Sequence, residues 1–415
     1  MRIAFLTNEF VSETNNQGGL ANYLNRMTQA LVRAGHECEV FVLTMAEPTN
    51  FVFNNVLIHR VNASPHPLFE RSLSRIAPKF WKQLTEPWGG VYGYFIGARA
   101  VARAFWRRHR AAPFDMVQSA NCGAVGLFIG KSRRPLHVTR LSSDRDLWFE
   151  ADGRERSFGL RALCWIERLA RRRATVVYAP SAFLARHCWK RWGEHVEVIR
   201  PPLYVETEAA SVKPKFERYL IHFGQMGRRK GTDMVARAFR KAHEQSPDIR
   251  MIWAGREIRN GDLEAIFPLL GKAHDSVDYV GPVPKPELCG LLAGAVASVL
   301  PSRIDNLPNT AVESLLFGVP VLAFEGGSLD EIVIDGRTGL LTPMEDEGAL
   351  AKAMVRMWNH DDLRPNMNKF VTPDLDAFTP EHAVNELIEL VDRHGKLPRR
   401  HEAAKFETSQ TKGGG

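Results

Sequence analysis

The feature that most constrains this fold is an alternation of strand-like and helix-like segments that runs through the chain twice. Short apolar runs typical of buried strands alternate with longer segments whose apolar residues recur at the spacing of one helix face. The predicted strands cover residues 3–6, 39–43, 114–118, 136–141, 175–179, 219–224, 251–255, 278–280, 298–301 and 321–324. This alternation predicts an α/β protein with mostly parallel, doubly wound sheets.

Two consecutive prolines at residues 201–202 interrupt the pattern near the middle of the chain. A length of 415 residues fits two domains of ordinary size, so we predict Rossmann-like domains over residues 1–200 and 201–375. A helix near residues 378–395 could pack back on the first domain, and the polar segment 401–415 is predicted to be disordered. Because ligands of open α/β sheets bind beyond the carboxyl ends of the strands, two such domains facing each other would form a cleft for two substrates.

Positive charge is concentrated in the first half of the chain. Residues 1–200 hold 29 Lys and Arg against 16 Asp and Glu, and the remainder holds slightly more acidic than basic residues. A basic surface attracts anionic lipids, nucleic acids or phosphorylated molecules, although a solvated arginine-rich surface would have the same composition. We keep an anionic membrane surface as a candidate partner of this half and expect no nucleic acid.

Residues 66–110 combine many aromatic with many basic side chains. Two interpretations stay open: a basic amphipathic surface that lies on a membrane, or a pair of helices whose apolar faces pack on the N-terminal sheet. No stretch reaches the roughly 20 apolar residues of a membrane-spanning helix, and the N-terminus resembles no secretion leader. Five scattered cysteines show neither zinc spacing nor a disulfide framework. These features favour a cytoplasmic protein that could lie on the inner face of the cytoplasmic membrane.

Two glycine-containing loops follow predicted strands and could approach an anionic ligand. Gly18 and Gly19 lie between the first strand and a helix, where backbone N–H groups can face a phosphate; a plain turn is the alternative. Residues 222–231 end a later strand and carry three consecutive cations before the next helix. Cations at that point can neutralise a leaving nucleoside diphosphate, with a solvated basic loop as the alternative.

The most informative segment spans residues 301–313, where Asp305 and Glu313 lie on either side of a predicted loop–helix junction. Asn306 is a plausible helix cap, and Pro308 suits the first helical turn. Glu313 then falls about one turn into the helix, pointing back toward the loop, and its carboxylate could accept hydrogen bonds from both hydroxyls of a ribose. Asp305 could hold hydroxyls of a transferred sugar. The alternative for Glu313 is a helix-surface acid paired with Arg or Lys.

Further turns complete a pattern that resembles the family 4 glycosyltransferases of the GT-B fold. The resemblance covers residues 1 to about 394. The matching positions are Pro301, Ser302, Asp305, Glu313, Gly318, Pro320, Val321, Gly326, Gly327, Glu331, Val333, Asp335, Gly336, Thr338, Gly339 and Leu341. The resemblance implies a hexosyltransferase that takes a sugar from a nucleotide-diphosphate sugar, retains its anomeric configuration, and needs neither metal nor cofactor. The basic N-terminal half favours a cell-envelope glycan or a lipid-linked molecule as the acceptor, and hence a role in polysaccharide biosynthesis.

The resemblance also assigns roles to residues at matching positions. Gly18, Gly19 and Lys230 are implied to contact the donor diphosphate. Glu313 is implied to hold the ribose, and Asp305 the hydroxyls of the donor sugar. No dedicated nucleophile is implied, since the acceptor attacks from the front face and the leaving phosphate takes its proton. The catalytic candidates are Ser142, Arg228, Lys230 and Asp305. The donor-binding candidates are Gly18, Gly19, Gln225, Arg229, Asn306, Leu307, Asn309, Thr310 and Glu313.

The loop before the helix departs from the family pattern. Asp305 stands where the family usually has Glu, which shortens its reach by about one methylene group. The family's Gly-Phe-Gly is Asn-Leu-Pro in this chain, and Pro308 has no N–H to donate to a phosphate or hydroxyl. The side chains of Asn306, Asn309 and Thr310 are the expected replacement donors.

Two polar positions of the family differ as well. Gln225 replaces a phosphate-binding Arg, so Arg228 or Arg229 would have to supply its charge. Ser142 replaces a His near the reacting centre, which leaves the catalytic detail open. These departures keep an inactive relative open as an alternative, serving as a binding or membrane-scaffold subunit. A nucleotide-sugar epimerase or hydrolase is a further alternative, which would need acids or histidines that the sequence does not place.

Overall fold

The structure is a computed structural model of the protein, and it describes most of the chain. The described ranges are residues 1–13, 18–63, 78–132, 135–153, 157–203, 209–360, 363–364 and 375–395, with only the backbone described for residues 78–89. The predicted disordered tail, residues 401–415, lies outside these ranges.

The chain divides into two compact units. The first comprises residues 1–141, 165–178 and 384–415, and the second comprises residues 142–164 and 179–383. Because each unit takes more than one stretch of chain, no single boundary separates them, and the predicted domain limits stay a prediction.

An eight-stranded sheet forms the core of the first unit, in the order β3-β4-β2-β1-β5-β6-β7-β8. The strands are β1 Arg2–Thr7, β2 Glu37–Thr44, β3 Asn50–Phe53, β4 Val56–Asn62, β5 Met116–Ala120, β6 Leu136–Arg140, β7 Val176–Ala179 and β8 Glu197–Val198. Neighbouring strands from β4 to β7 pair in parallel, and β3 pairs antiparallel with β4. Strand β1 is buried from Ile3 to Thr7, as expected for a parallel strand covered on both faces.

Helices alternate with these strands along the chain. They are α1 Gly19–Arg33, α2 Pro78–Ala111, α3 Arg145–Ala151, α4 Phe158–Arg172 and α5 Ala182–Trp192. Helix α1 buries Leu20, Leu24, Met27 and Leu31 at the spacing of one helix face, as the sequence predicts. Helix α5 begins where Ser181 Oγ accepts a hydrogen bond from the N–H of Leu184.

Helix α2 covers much of the basic aromatic segment that the sequence left with two interpretations. A single helix spans residues 78–111, whereas one of the two interpretations expected a pair of helices. Ala98, Val101, Ala102 and Phe105 are almost fully buried, so this part of the segment packs into the core. Residues 66–77 lie outside the described part of the chain. No described helix is both long enough and apolar enough to cross a bilayer.

A six-stranded parallel sheet forms the core of the second unit, in the order β11-β10-β9-β12-β13-β14. The strands are β9 Leu220–Met226, β10 Met251–Glu257, β11 Val277–Gly281, β12 Ser298–Val299, β13 Val321–Phe324 and β14 Gly339–Thr342. The helices are α6 Thr232–Gln245, α7 Asp262–Ile266, α8 Lys285–Gly294, α9 Asn309–Leu316, α10 Glu347–Asn359 and α11 Pro380–Gly395, of which residues 384–395 group with the first unit. Leu220 and Ile221, adjacent on β9, point into the two apolar cores on opposite faces of the sheet.

The strand order of the second sheet creates a switch point between β9 and β12. From β9 the chain moves to β10 and β11 on one side, and then returns to β12, β13 and β14 on the other. The loops that leave β9 and β12 therefore run in opposite directions and open a crevice at the carboxyl ends of these two strands. Residues 227–231 and 300–308 supply those loops.

Candidate functional site

The two loops at the switch point bring a predicted cation and a predicted acid together. Lys230 ends a short 3₁₀ turn, Arg228–Lys230, after β9, and Asp305 lies in the loop after β12. Lys230 Nζ donates a hydrogen bond to Asp305 Oδ2, and these side chains are 21% and 17% exposed. A half-buried ion pair that still reaches solvent can exchange one of its partners for a charged ligand.

The three consecutive cations of the first loop have different surroundings. Lys230 pairs with Asp305. The guanidinium carbon of Arg229 lies 4.5 Å from the ring centroid of Trp148, a cation–π contact. Arg228 is exposed, and its side chain has neither a hydrogen bond nor an ion pair with any residue that the structure describes. Of the three, Arg228 is the most exposed cation, so its charge is the most accessible to a ligand.

Arg303 joins the two loops, and no sequence pattern pointed to this role. Its guanidinium forms a bidentate pair with Asp233 at 2.6 and 2.8 Å, and its Nε lies 2.5 Å from Glu345 Oε1. It also donates to the backbone carbonyl of Arg228, and its own N–H donates to the carbonyl of Arg229 at 3.0 Å. Burial would lower the pKa of Arg303, but its hydrogen bonds to the two carboxylates raise it, so this arginine is a fixed structural cation.

A buried histidine orders the start of the same loop. His222 Nδ1 lies 2.7 Å from the carbonyl of Val299, its Nε2 lies 3.0 Å from Thr232 Oγ1, and that hydroxyl accepts the N–H of Gly227 at 2.9 Å. Burial lowers the pKa of His222 to about 4. The imidazole is therefore neutral, with its proton on Nδ1, and it receives the hydroxyl proton of Thr232 on Nε2. This chain of hydrogen bonds joins β9, β12 and α6.

A glycine sets the spacing of the two loops. The backbone of Gly231 has a φ of +73°, in the left-handed region that favours glycine, and a Cβ atom placed there would lie 2.0 Å from the carbonyl oxygen of Pro301. No side chain fits at this point. Gly231 thus allows the cationic loop to lie directly against the loop that carries Asp305.

The loop after β12 contains a strained residue that a buried serine supports. Leu307 has a φ of +71°, a conformation that costs a non-glycine residue roughly 1–2 kcal/mol. Its N–H donates to Ser328 Oγ at 2.9 Å, and Ser328 Oγ donates to the carbonyl of Asp305 at 2.7 Å. Ser328 is 1% exposed. One hydroxyl thus holds both sides of the turn and places the Asp305 carboxylate; this serine was missed because the Gly-Gly turn before it reads as ordinary turn chemistry.

Asn306 does not cap the following helix, so that expectation is wrong. The residue before α9 is Pro308, and no side chain caps the helix. Asn306 Nδ2 instead donates to the backbone carbonyl of Ser142 at 2.5 Å, while its N–H donates to Asp305 Oδ1 at 2.9 Å. The asparagine is drawn away from the helix because a carbonyl acceptor lies within its reach. The structure thus places Ser142 beside the loop that carries Asp305.

Glu313 lies one turn into α9, as predicted, but it is buried and already has a cationic partner. It is 7% exposed, and its Oε1 lies 2.8 Å from Nζ of Lys285, at the start of α8. The alternative of a lysine-paired acid is therefore partly right, although the carboxylate is not on the helix surface. Lys285 was missed because its partner lies in another helix.

The remaining predicted donor-site residues of the second unit lie at the edges of these loops. Gln225 is exposed near the end of β9. Asn309 and Thr310 occupy the first turn of α9 and are half-buried. A Cβ atom at Gly224 would lie 3.0 Å from the methyl group of Thr310, so this threonine packs over the end of β9.

Glu331, one of the residues that carry the family resemblance, has a structural role. Its carboxylate accepts the N–H groups of Ala182 and Phe183 at 2.9 and 2.6 Å and lies 2.6 Å from Nη1 of Arg200. It therefore satisfies orphan donors at the first turn of α5. Matching the family pattern does not by itself make this residue part of a binding site.

Gly18 and Gly19 lie at the start of α1 in the first unit. A Cβ atom at Gly18 would lie 2.7 Å from Glu9 Oε2, whereas Gly19 faces open space. Burial raises the pKa of Glu9. No sequence pattern pointed to this acid. The contact of Gly18 and Gly19 with a donor diphosphate stays a prediction.

The described side chains include no group of three or more His, Cys, Asp or Glu residues arranged to hold a metal ion.

Two stretches of the chain match known families. Residues 217–360 match the family described as Glycosyl transferases group 1, and residues 18–202 match the Glycosyl transferase 4-like domain. The chain belongs to the family 4 glycosyltransferases. The first match contains every loop of the switch point described above, and the second contains Gly18, Gly19 and Ser142.

Curated relatives of this glycosyltransferase include several D-inositol 3-phosphate glycosyltransferases. That of Arthrobacter sp. is 26% identical over 43% of this chain and 43% of the relative, and that of Corynebacterium urealyticum is 27% identical over 48% and 49%. In these alignments the chain spans about half the length of the curated relatives it matches. The enzyme of Pseudarthrobacter chlorophenolicus is 23% identical over 86% of both chains.

Solved structures show that this glycosyltransferase has the GT-B fold. Sucrose-phosphate synthase from Thermosynechococcus elongatus superimposes with a TM-score of 0.73 and 19% identity, over 95% of this chain and 98% of that one. HepE of Anabaena, solved in complex with UDP-glucose, gives 0.66 and 16% over 95% and 100%. WaaG, described as a glycosyltransferase involved in lipopolysaccharide biosynthesis, gives 0.66 and 15% over 92% and 99%.

Proposed function

We propose that this protein is a retaining glycosyltransferase that moves a hexose from a nucleotide-diphosphate sugar to an acceptor hydroxyl. The observation that carries the proposal is the meeting of Lys230 and Asp305 at the switch point of the second sheet. Family membership and the GT-B fold support it, as does HepE, which has been solved with UDP-glucose.

The donor would lie along the crevice between the two loops. Lys230 would contact the diphosphate, and Asp305, freed from part of that ion pair, would accept hydrogen bonds from hydroxyls of the donor sugar. Glu313 would hold the ribose. Lys285 already pairs with Glu313 through Oε1, so the ribose hydroxyls would approach a carboxylate that has a cation beside it.

We assign the charge that Gln225 lacks to Arg228. Arg229 is engaged with the Trp148 ring and Lys230 with Asp305, whereas the Arg228 guanidinium is exposed. A guanidinium can hold a phosphate through two parallel hydrogen bonds. Arg228 would therefore bind the diphosphate, and Arg229 would anchor the loop on Trp148.

The reaction we propose needs no general base from the protein. The acceptor oxygen forms a bond to the anomeric carbon on the face from which the nucleoside diphosphate departs, so the configuration is retained. The bond between that carbon and the phosphate oxygen breaks, and the leaving phosphate takes the acceptor proton. Lys230 and Arg228 stabilise the negative charge that develops on the phosphate, which is the task a metal ion would otherwise perform.

The acceptor class rests on the basic first half of the chain. We propose a cell-envelope glycan or a lipid-linked acceptor, reached by a cytoplasmic protein at the inner face of the membrane. WaaG, a structural neighbour, is involved in lipopolysaccharide biosynthesis, which is in keeping with this class. An anionic membrane surface attracts clustered Lys and Arg by about 1 kcal/mol per residue.

Nucleotide binding tests the donor site directly. A panel of nucleoside diphosphates and nucleotide sugars is added to the protein, and thermal unfolding is followed. A ligand at 100 times its dissociation constant should stabilise the protein by about 2.7 kcal/mol. Release of nucleoside diphosphate in the presence of an acceptor extract then tests transfer. Stabilisation by none of the panel would overturn the donor site and favour an inactive binding or scaffold subunit.

Neighbouring arginines provide a matched pair of variants. We expect Arg228→Gln to weaken binding of nucleoside diphosphates about tenfold or more, since a hydrogen bond to a charged group contributes roughly 1.5–3 kcal/mol, and to leave binding of the free nucleoside unchanged. Arg229→Gln removes the same charge one residue away and should have the smaller effect. The reverse order would assign the phosphate to Arg229.

A further inference from the structure

Helix α4 presents apolar side chains on two opposite faces. Its inner face is buried, with Ile166 and Ala170 3% and 2% exposed in a cluster that includes Ala98 of α2. Its outer face carries Phe158, Trp165 and Leu169, which are 71%, 65% and 37% exposed. These three residues are spaced seven and four positions apart, so they form one stripe along the helix.

Every exposed charge along this stripe is positive. Arg161 and Arg172 are exposed on the same face, and Arg173 is exposed immediately after the helix. The helix contains one acid, Glu167, which is buried, and whose Oε1 accepts the N–H of Gly123 at 3.2 Å. The outer face of α4 therefore combines large apolar side chains with arginines and has no acid.

A lipid surface fits this combination better than another protein of ordinary composition. Trp is favoured at the boundary between lipid headgroups and hydrocarbon, because its ring is buried while its N–H stays wet, and Phe and Leu beside it bury apolar area there. Arginines beside them meet the negative charge of anionic headgroups. A helix that lies in the interface plane needs this arrangement on one long side. A second copy of the chain would cover the apolar stripe, but it would set these arginines against the same arginines, which repel each other.

We propose that the outer face of α4, made of Phe158, Arg161, Trp165, Leu169 and Arg172, binds the surface of an anionic lipid bilayer. This deepens the proposed function, since it gives the membrane partner a defined surface. It adds a second surface to the basic aromatic segment 66–110, where α2 buries one face through Ala98, Val101 and Phe105 but leaves Tyr92 and Phe95 38% and 44% exposed. Trp165, Leu169 and Arg172 belong to the first unit, whereas Phe158 and Arg161 belong to the second and adjoin them through the continuous helix α4.

Co-sedimentation of the full chain with vesicles tests the surface. Wild type should bind vesicles of phosphatidylcholine mixed with phosphatidylglycerol and should bind phosphatidylcholine alone at least tenfold more weakly. The double variant Trp165→Ser/Leu169→Ser should lose about tenfold or more of the binding to anionic vesicles. Trp189 of α5 is 62% exposed and adjoins Lys190 and Arg191, so Trp189→Ser is the matched control and should bind like wild type. The double variant Arg161→Gln/Arg172→Gln should bind less and with a weaker dependence on salt.

The proposal is overturned if wild type shows no preference for anionic vesicles, if the α4 and Trp189 variants lose binding equally, or if both α4 variants bind unchanged. Light scattering after gel filtration tests the other candidate partner of this surface, which is a second copy of the chain. If wild type is a dimer that Trp165→Ser/Leu169→Ser converts to a monomer, the stripe joins two copies of the chain and the lipid assignment is wrong. Thermal stabilisation by nucleotides is measured on every variant. A loss of vesicle binding with nucleotide binding intact separates this surface from the donor site.

Discussion

Lys285 Nζ lies 2.8 Å from Glu313 Oε1, and this ion pair joins the start of α8 to the second turn of α9. Glu313 is 7% exposed, and a carboxylate so deeply buried is costly without a cation. The lysine therefore offsets the cost of burying this carboxylate, and it fixes the acid relative to the start of α8.

Replacing this acid gives the first prediction. Glu313→Ala should lower turnover at least 100-fold, which corresponds to about 3 kcal/mol of lost positioning. Lys285→Met should retain more activity but require more donor, since the acid is then present without its support. Steady-state release of nucleoside diphosphate measures both. A near-normal rate for Glu313→Ala would remove that residue from the site.

The second prediction concerns the cation that Asp305 holds. Lys230→Met removes a charge that the leaving diphosphate needs, so we expect turnover to fall by about 100-fold or more. Asp305→Asn keeps the shape of the acid but frees the lysine, and should raise KM for the donor sugar more than it weakens binding of the nucleoside diphosphate alone. Comparing nucleotide sugar with nucleoside diphosphate in binding and kinetics separates the two roles. Equal losses for both ligands in Asp305→Asn would contradict a contact with the sugar.

Ser328 gives a prediction about positioning without substrate contact. Ser328→Ala leaves the Leu307 N–H without its acceptor in a strained turn, and should cost roughly 1–3 kcal/mol of folding free energy. Ser314 is the matched control, because its buried hydroxyl also makes two hydrogen bonds, to Ser298 Oγ and to the carbonyl of Thr310, each at 2.8 Å. Denaturant unfolding should show comparable losses in both variants. Only Ser328→Ala should also lower kcat, and equal kcat values would assign Ser328 to stability alone.

The fourth prediction concerns acid stability of the first unit. Burial would raise the pKa of Glu39, but hydrogen bonds from His59 and Arg108 and the charge of Arg108 lower it to about 2. A lowered folded-state pKa stabilises the protein above the unfolded pKa of about 4.3, and that contribution is lost as pH falls toward 2. The contribution of Glu39 to the free energy of unfolding at neutral pH is about 3 kcal/mol. Glu39→Gln should therefore lower stability at neutral pH and flatten its pH dependence between about 4.5 and 2, as measured by urea unfolding across that range. An unchanged slope would place the acid sensitivity elsewhere.

The regular elements were predictable because each is encoded locally. All ten predicted strands overlap strands of the structure, although the segment predicted at residues 114–118 is β5 Met116–Ala120. Strands β3, β4, β8 and β14 were missed. Three of them are two to four residues long, and in β4 the polar residues His59, Arg60 and Asn62 interrupt the apolar run, so their pairing depends on a neighbouring strand.

The acids and cations of the site were found through spacing and family resemblance, but their supports were not. Arg303 reaches Asp233 and Glu345, which lie 70 and 42 positions away in the chain. Asn306 looked like a helix cap because its local sequence allows one, yet the carbonyl of Ser142, 164 positions away, is its acceptor. Such choices between partners are made by the folded chain, and a local pattern contains no information about them.

Gly231 sets the spacing of the two loops that line the donor crevice, although it has no side chain that could bind a ligand. A Cβ atom at Gly231 would lie 2.0 Å from the carbonyl oxygen of Pro301. Even a methyl group there would therefore push the two loops apart. The ammonium of Lys230 and the carboxylate of Asp305 would then be forced apart together with their loops. A mutation that touches no sugar, phosphate or base could therefore silence the protein while every residue with a chemical role remained in place.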